Sequence, residues 1–273
     1  MPARLCIWTV ATGAERELLQ TDHPIEAPNW DPAGTTLLVN SQGRLYRVPF
    51  DAPALIPLDT GFANRCNNDH GISPDGKTIA LSNHTDRGSE IFLIPATGGI
   101  PRPITRHAPS WWHGWSPDGR RLVYVGARGL GPIDVFTIPL EGGTEARLTN
   151  GEGHCDGPDY SADGHSIYYN CDRDGHAQIW VMQADGAGQH KLFADDHVNW
   201  FPHPSPDGKH LVYLAYPPGT SGHPANLPIA LCLCDPEGGN RRRIVEFTGG
   251  QGTINVPSWS PDGSQFAYVR YDG

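Results

Sequence analysis

The residues of this chain best suited to chemistry are imidazoles, carboxylates, amides and tryptophans gathered just ahead of a recurring turn. Ser-Pro-Asp-Gly or a close relative occurs six times, ending at Gly34, Gly76, Gly119, Gly164, Gly208 and Gly263. The residues immediately before these turns are Trp30, Ile72, Trp115, Tyr160, Pro204 and Trp259. Two places further upstream stand Pro28, His70, His113, Pro158, Pro202 and Pro257, so histidine replaces proline in two successive units. Four places upstream stand Glu26, Asn68, Trp111, Asp156, Trp200 and Asn255, with Asp69, His154 and His203 close by.

Three readings of this set remain open. His70, His113 and His203, with Asp156 as a fourth group, could ligate a divalent metal, since three imidazoles and an open position suit a catalytic ion. Alternatively, Trp111, Trp112 and Trp200 offer aromatic platforms, with Asn68, Asn255, Asp156 and the histidines as polar tips. That suits a small molecule, a sugar or a peptide. In the third reading the histidines hydrogen-bond water and connector backbone, and the tryptophans simply pack. Other motifs carry less. His154-Cys155-Asp156 does not make a Cys/His pair, because neighbours on a strand point to opposite faces. Asp172-Arg173-Asp174-Gly175 lacks the remaining EF-hand spacing and reads as a turn. There is no Gly-x-Ser-x-Gly elbow and no glycine-rich phosphate loop.

What positions these residues follows from composition. Of 273 residues, 33 are glycine and 26 proline, which interrupts every 3.6-residue apolar period and leaves short strands and tight turns. Eight Trp, nine Tyr and eight Phe supply a core. A net charge of −10 disfavours a nucleic-acid partner. The basic run Arg241-Arg242-Arg243 reads as a protected edge strand. No apolar stretch is long enough to span a membrane. No signal-like segment opens the chain, which sets the expectation of a cytoplasmic protein, or a periplasmic one if a leader precedes residue 1. Its six cysteines are then expected reduced and mostly buried.

The spacing of the turns predicts the architecture. Successive glycines lie 42, 43, 45, 44 and 55 residues apart, and the two chain ends together supply a sixth interval of 44. In each unit Pro-Asp-Gly supplies the turn. A strand follows (TTLLVN, KTIALSN, RRLVYVG, HSIYYNC, KHLVYLAY, SQFAYVRY), then a third and a fourth. Four antiparallel strands repeated six times make a six-bladed β-propeller, an all-β fold of one domain over residues 1–273. The sixth blade is split between 1–21 and 255–273, so that the two ends of the chain close the ring. Strand polarity puts the Pro-Asp-Gly turns on one face. The blade-to-blade connectors and second-to-third-strand loops fall on the other, where a site is expected. The longest departure from the repeat, Pro217–Pro228, should overhang that face.

The segments SPDGKTIALSNHTDRGSEIFLIPATGG at 73–99 and YSADGHSIYYNCDRDGHAQIWVMQADG at 160–186 resemble the WD-like repeats of TolB-type six-bladed propellers. The resemblance covers the whole chain but not the α/β domain that precedes the propeller in TolB. It implies a scaffold that binds a ligand or a protein through the channel mouth. In architecture the chain also resembles oligogalacturonate lyases, six-bladed propellers with a histidine-rich metal site. That implies the alternative of a metal-dependent carbohydrate-active enzyme, with a histidine as base and the ion polarising a uronate carboxylate.

Overall fold

Each turn is locked by its own side chains. The structure, a computed structural model describing residues 1–272, places Ser73 Oγ 2.6 Å from Asp75 Oδ1, to which it donates. The same carboxylate oxygen accepts the Lys77 amide at 3.0 Å, and Gly76 takes φ +72°. The Ser-to-Asp bond recurs at Ser116, Ser161, Ser205 and Ser260. Where Asp31 replaces serine, its carboxylate takes the Thr35 and Thr36 amides directly. An Asp that bonds its own turn and a Gly free to enter the left-handed region make the repeat self-terminating.

These turns organise six blades, each running antiparallel from the channel outwards. Blade one comprises Glu26–Trp30, Thr36–Ser41, Arg44–Pro49 and Ile56–Pro57. Blade two comprises Cys66–Ile72, Thr78–Thr85, Gly88–Pro95 and Arg102–Pro103, and blade three Ser110–Trp115, Arg121–Ala127, Ile133–Pro139 and Ala146–Arg147. Blade four comprises Cys155–Tyr160, Ser166–Cys171, Gln178–Gln183 and His190–Lys191, and blade five Val198–Pro204, Leu211–Tyr216, Leu227–Cys234 and Arg242–Gly249. Blade six joins the chain ends. Gln265–Tyr271 pairs with Ala3–Thr9 from Ala3↔Tyr271 to Thr9↔Gln265, and Ala14–Thr21 completes the outside. Its innermost strand shrinks to the single bridge Trp259↔Phe266.

The second strand of each blade is buried on both sides, as in Leu37-Leu38-Val39 and Leu122-Val123-Tyr124-Val125, because neighbouring blades pack on it face to face. Polar residues on three of those strands tie their blade to the next. Asn40 Nδ2 donates to the Cys66 carbonyl at 3.0 Å, Ser82 Oγ accepts the Trp112 amide at 2.8 Å, and Asn170 Oδ1 accepts the Phe201 amide at 3.0 Å. Packing is close enough that a Cβ on Gly71 would lie 2.2 Å from the Trp112 ring. Arg242 and Arg243 sit exposed on the outermost strand of blade five, in keeping with the edge-strand reading. Among the described residues no helix is long and apolar enough to cross a membrane.

The innermost strands do not alternate simply. Blades one, three, four and five each carry one extra residue in a β-bulge, but in blade two Cys66–His70 faces only Leu81–Asn83, so two residues are extra. Bulged residues leave the ladder and re-aim their side chains. Ala27, Gly157 and Phe201 occupy the same place in their blades and all take the left-handed backbone, at φ +55°, +58° and +54°.

The cysteine expectation needs a correction. Cys155 and Cys171 form a disulfide, because the inner and second strands of blade four set them directly opposite one another. Cys6, Cys66, Cys232 and Cys234 are buried free thiols, as expected, and burial pushes Cys6, Cys66 and Cys234 up to about 12 and Cys232 to about 11. Closing a loop with a sequence separation of 16 is worth about 3 kcal/mol in the chain-entropy account. Cys171→Ser should therefore lower stability in urea by about 2–3 kcal/mol, and reductant should bring the wild-type protein down to the same curve. Coincident wild-type curves with and without reductant would remove the cross-link.

Candidate functional site

The channel opens at both ends, and the two mouths differ in chemistry. On the face of the Pro-Asp-Gly turns a cavity of about 330 Å³ is walled by Trp30, Trp115, Trp259 and the turn prolines. It is the larger of the two but mostly apolar. Asp159, which borders it, is already engaged by His203. The opposite mouth is smaller, about 190 Å³, and its lining includes Asp69, Trp111, His113, Asp156, Phe201, His223 and Asn255. The titratable groups converge here, on the connector face.

Bulges decide which side chains reach it. Asn67, Asp69, His113 and Phe201 are all unpaired bulge residues, turned out of their ladders into the cavity. Asp156 flanks the bulge of blade four, and Trp111 stands one residue further from that of blade three. The extra residue in blade two breaks the equivalence of His70 and His113. Asp69 lines the mouth instead, while His70 is fully buried. Neither His70 ring nitrogen reaches hydrogen-bond geometry, although the carbonyls of Leu38, Ala27 and Asn67 surround it. Burial pushes its pKa down to about 4.

Two polar clusters share the mouth. In the first, Asn255 Nδ2 donates to Asp69 Oδ1 at 2.7 Å and to Asn68 Oδ1 at 3.2 Å, and Asn67 Nδ2 bonds Asp69 Oδ2. Burial, with Asp156 adding repulsion, raises the Asp69 carboxyl to about 6 against the pull of His113 and the two amides. Burial and the charge of Asp69 raise Glu26 to about 7. In the second cluster Asp156 Oδ1 meets His113 Nε2 at 3.0 Å and the Gly157 amide at 2.7 Å. Asp156 Oδ2 meets His154 Nε2 at 3.2 Å and His223 Nε2 at 3.8 Å. Burial alone would raise Asp156, but the bonds from His113 and His154 outweigh it and hold the carboxyl well below its ordinary range. Burial would likewise lower His113, yet the Asp156 bond and the two carboxylates raise it.

The structure therefore brings together Asn68, Trp111, His113, Asp156 and Asn255 from the set read in the sequence, and leaves three others aside. Trp200 is buried beneath the site, its ring 4.4 Å from that of His223 and 5.6 Å from that of His154. It supports the imidazoles, and Trp111 and Phe201 are the aromatics that face the cavity. His203 spends both ring nitrogens on the protein, on Asp159 Oδ2 at 3.0 Å and the Ile254 carbonyl at 2.7 Å. With His70 sealed as well, the expected ligand set of His70, His113 and His203 does not converge. Among the described residues the one group whose ligand atoms all lie within 4.8 Å of one another is His154, Asp156 and His223. His223 is the residue the sequence reading missed. It rides on the Pro217–Pro228 insertion, which does overhang this face, so the one break in the repeat was the signal for it.

The fold defines a six-bladed β-propeller with a polar cavity at the connector-face end of its channel. Residues 73–222 match PD40, the TolB β-propeller domain. The chain belongs to the TolB β-propeller family. It is 46% identical to the uncharacterized protein Atu1656 of Agrobacterium fabrum, over 99% of this chain and 93% of that one. A solved structure from Agrobacterium tumefaciens, assigned provisionally to TolB, superposes with a TM-score of 0.98 at 46% identity, covering 100% of this chain and 99% of its own. The Tol-Pal system protein TolB of Francisella tularensis subsp. holarctica is 26% identical over 89% of this chain and 56% of its own length.

Proposed function

We propose that the protein is a non-catalytic binding propeller whose connector-face mouth takes the cationic end of a small or peptidic ligand. Asp69 carries the reading. It is a carboxyl only 4% exposed, lining a cavity, held by two amides and facing no lysine or arginine. A buried carboxylate balanced only by the field of His113, which Asp156 already binds, is costly, and an incoming ammonium or guanidinium relieves that cost by pairing with it. Glu26 adds a second carboxyl to the same field. Trp111 and Phe201 supply walls that an aliphatic or aromatic stem can lie against. A volume of about 190 Å³ admits one side chain or chain terminus and excludes a folded domain. The net charge of −10 favours approach by cations.

The test is a calorimetric titration, in chelator, of short peptides with a free amino terminus and a lysine against fully acetylated counterparts. The free forms should bind and the acetylated forms should not. Trp111→Ala should weaken binding about tenfold or more, roughly 1.4 kcal/mol. Asp69→Asn should weaken it further and reduce its dependence on pH between 5 and 7. Equal binding of the acetylated peptides would end the cationic reading.

A further inference from the structure

We infer that His154, Asp156 and His223 form a binding site for a divalent transition-metal ion, and that the ion fastens the Pro217–Pro228 loop over the channel mouth. The inference goes beyond the ligand reading and does not depend on it.

The donor set is the first argument. Two imidazoles and one carboxylate present ligand atoms to a common point, and Asp156 Oδ2 lies 3.2 Å from His154 Nε2 and 3.8 Å from His223 Nε2. Ligands about 2.0–2.2 Å from one ion are separated by up to about 4.2 Å, so both distances already fit a shared metal. The two imidazole rings stand nearly perpendicular, at 82° with centroids 6.4 Å apart, as separate corners of a coordination sphere rather than a stacked pair. Two histidines and a carboxylate with open positions suit zinc and the borderline first-row ions.

Support around the donors is the second argument. Asp156 Oδ1 is anchored by His113 Nε2 and the Gly157 amide, which turns Oδ2 towards His154 and His223. Orientation of a ligating carboxylate by hydrogen bonds on its other oxygen is the usual outer shell of a metal site. His154 is fixed through its backbone, its amide donating to Asp172 Oδ1 at 2.7 Å. Trp200 and Phe201 wall one side of His223. Asp156 and His223 also line the cavity, so a coordination position not taken by protein opens into the ligand pocket.

The loop is the third argument. Its polar ties are sparse: Thr220 bonds back to the Pro217 carbonyl, and Tyr216 Oη donates to the Pro224 carbonyl at 2.8 Å. His223 is buried over most of its side chain, yet its Nδ1 has no partner and its Nε2 stands 3.8 Å from Asp156, beyond a hydrogen bond. Brought over the mouth on a loop with two left-handed glycines, Gly219 and Gly222, the side chain gains aromatic packing on Trp200 and Phe201 but no hydrogen bond from the protein. An ion bridging His223 to His154 and Asp156 accounts for its position.

The experiment uses the intact chain stripped with chelator and titrated with Co²⁺, then with Zn²⁺ in competition. One Co²⁺ per chain should bind, with visible absorption bands, and Zn²⁺ should displace it. His223→Ala should weaken Co²⁺ binding about a hundredfold or more, since it removes one of three protein ligands. His154→Gln should do the same from the blade side. His165→Ala, an exposed histidine on the opposite face, should change nothing. Zn²⁺ should also protect residues 217–228 from proteinase K in the wild type and not in His223→Ala. Uptake that survives both His223→Ala and His154→Gln is adventitious and overturns the site. Loss of binding in both without loop protection in the wild type overturns the fastening. Peptide binding is measured in chelator and depends on Trp111 and Asp69, so either reading can fail while the other stands.

Discussion

Deleting Met1–Thr21 is expected to abolish the soluble folded protein, whereas a circular permutant that retains every residue should fold. The first strand of the chain is the third strand of blade six, paired over seven positions with Gln265–Tyr271. Leu5, Ile7 and Trp8 on it are buried, at roughly 2–3 kcal/mol each, which together matches much of the net stability of an ordinary domain. The deletion would also bare the edge of Gln265–Tyr271 and leave the ring unclosed, so the expected outcome is aggregation. Ala3 stands opposite Tyr271, and the amide of Asp272 donates to the Pro2 carbonyl at 3.2 Å. The two ends are thus close enough for a short linker to make an ordinary hairpin. A permutant with that linker, opened in the exposed Gly129–Gly131 loop, retains every strand and moves the split from blade six to blade three. Circular dichroism and size-exclusion chromatography should find it eluting with the wild type and melting within a few degrees of it. A soluble, cooperatively melting deletion variant would show that the closure contributes little.

How much of this was legible in the sequence depends on what each feature rests on. The propeller and its split blade were, because Pro-Asp-Gly turns act locally and their spacing survives any detail of packing. The face that carries the site, and the Pro217–Pro228 loop above it, followed from strand polarity alone. The aim of individual side chains did not follow. Counting back from each turn makes His70 and His113 equivalent, but one extra bulge residue in blade two buries His70 and turns Asp69 into the mouth. Bulges arise from how a strand must bend against its neighbours, and nothing local in Cys66–Ile72 announces the second extra residue. Trp200 misled for a related reason. A tryptophan four places before the residue that precedes the turn faces the cavity as Trp111, yet lies under His154 and His223 as Trp200 in blade five. The Cys155–Cys171 pair was hidden because it is a matter of cross-strand register, which the repeat fixes only once blade four is built.

Stability should respond to pH through two buried groups that act in opposite directions, and single substitutions should separate them. His70 has its folded pKa lowered by burial to about 4, so the unfolded chain binds its proton more tightly. Its contribution is present above the ordinary histidine value of about 6.5 and is lost as pH falls through that window towards 4. Glu26 is the reverse case. Burial and Asp69 raise it to about 7, so the folded state holds the proton, and its contribution is present at low pH and lost as pH rises from about 4.5 through 7. Asp69, raised to about 6, adds to the same downward slope. Between pH 4.5 and 6 the rising slope of His70 is outweighed by the two falling ones of Glu26 and Asp69, and the wild-type profile should decline gently. Glu26→Gln removes one of the two downward contributions. In urea melts run in chelator it should gain about 1–3 kcal/mol over wild type at pH 8 and almost nothing at pH 4, because a shift of one pKa unit is worth about 1.4 kcal/mol. His70→Leu fills the same sealed site without a group that must stay neutral. It should gain at pH 4 relative to pH 8, by a similar amount and with the opposite slope. A Glu26→Gln protein that loses stability equally at both pH values would mean that the carboxyl is held as a charged partner, and the electrostatic account of the mouth would fail with it.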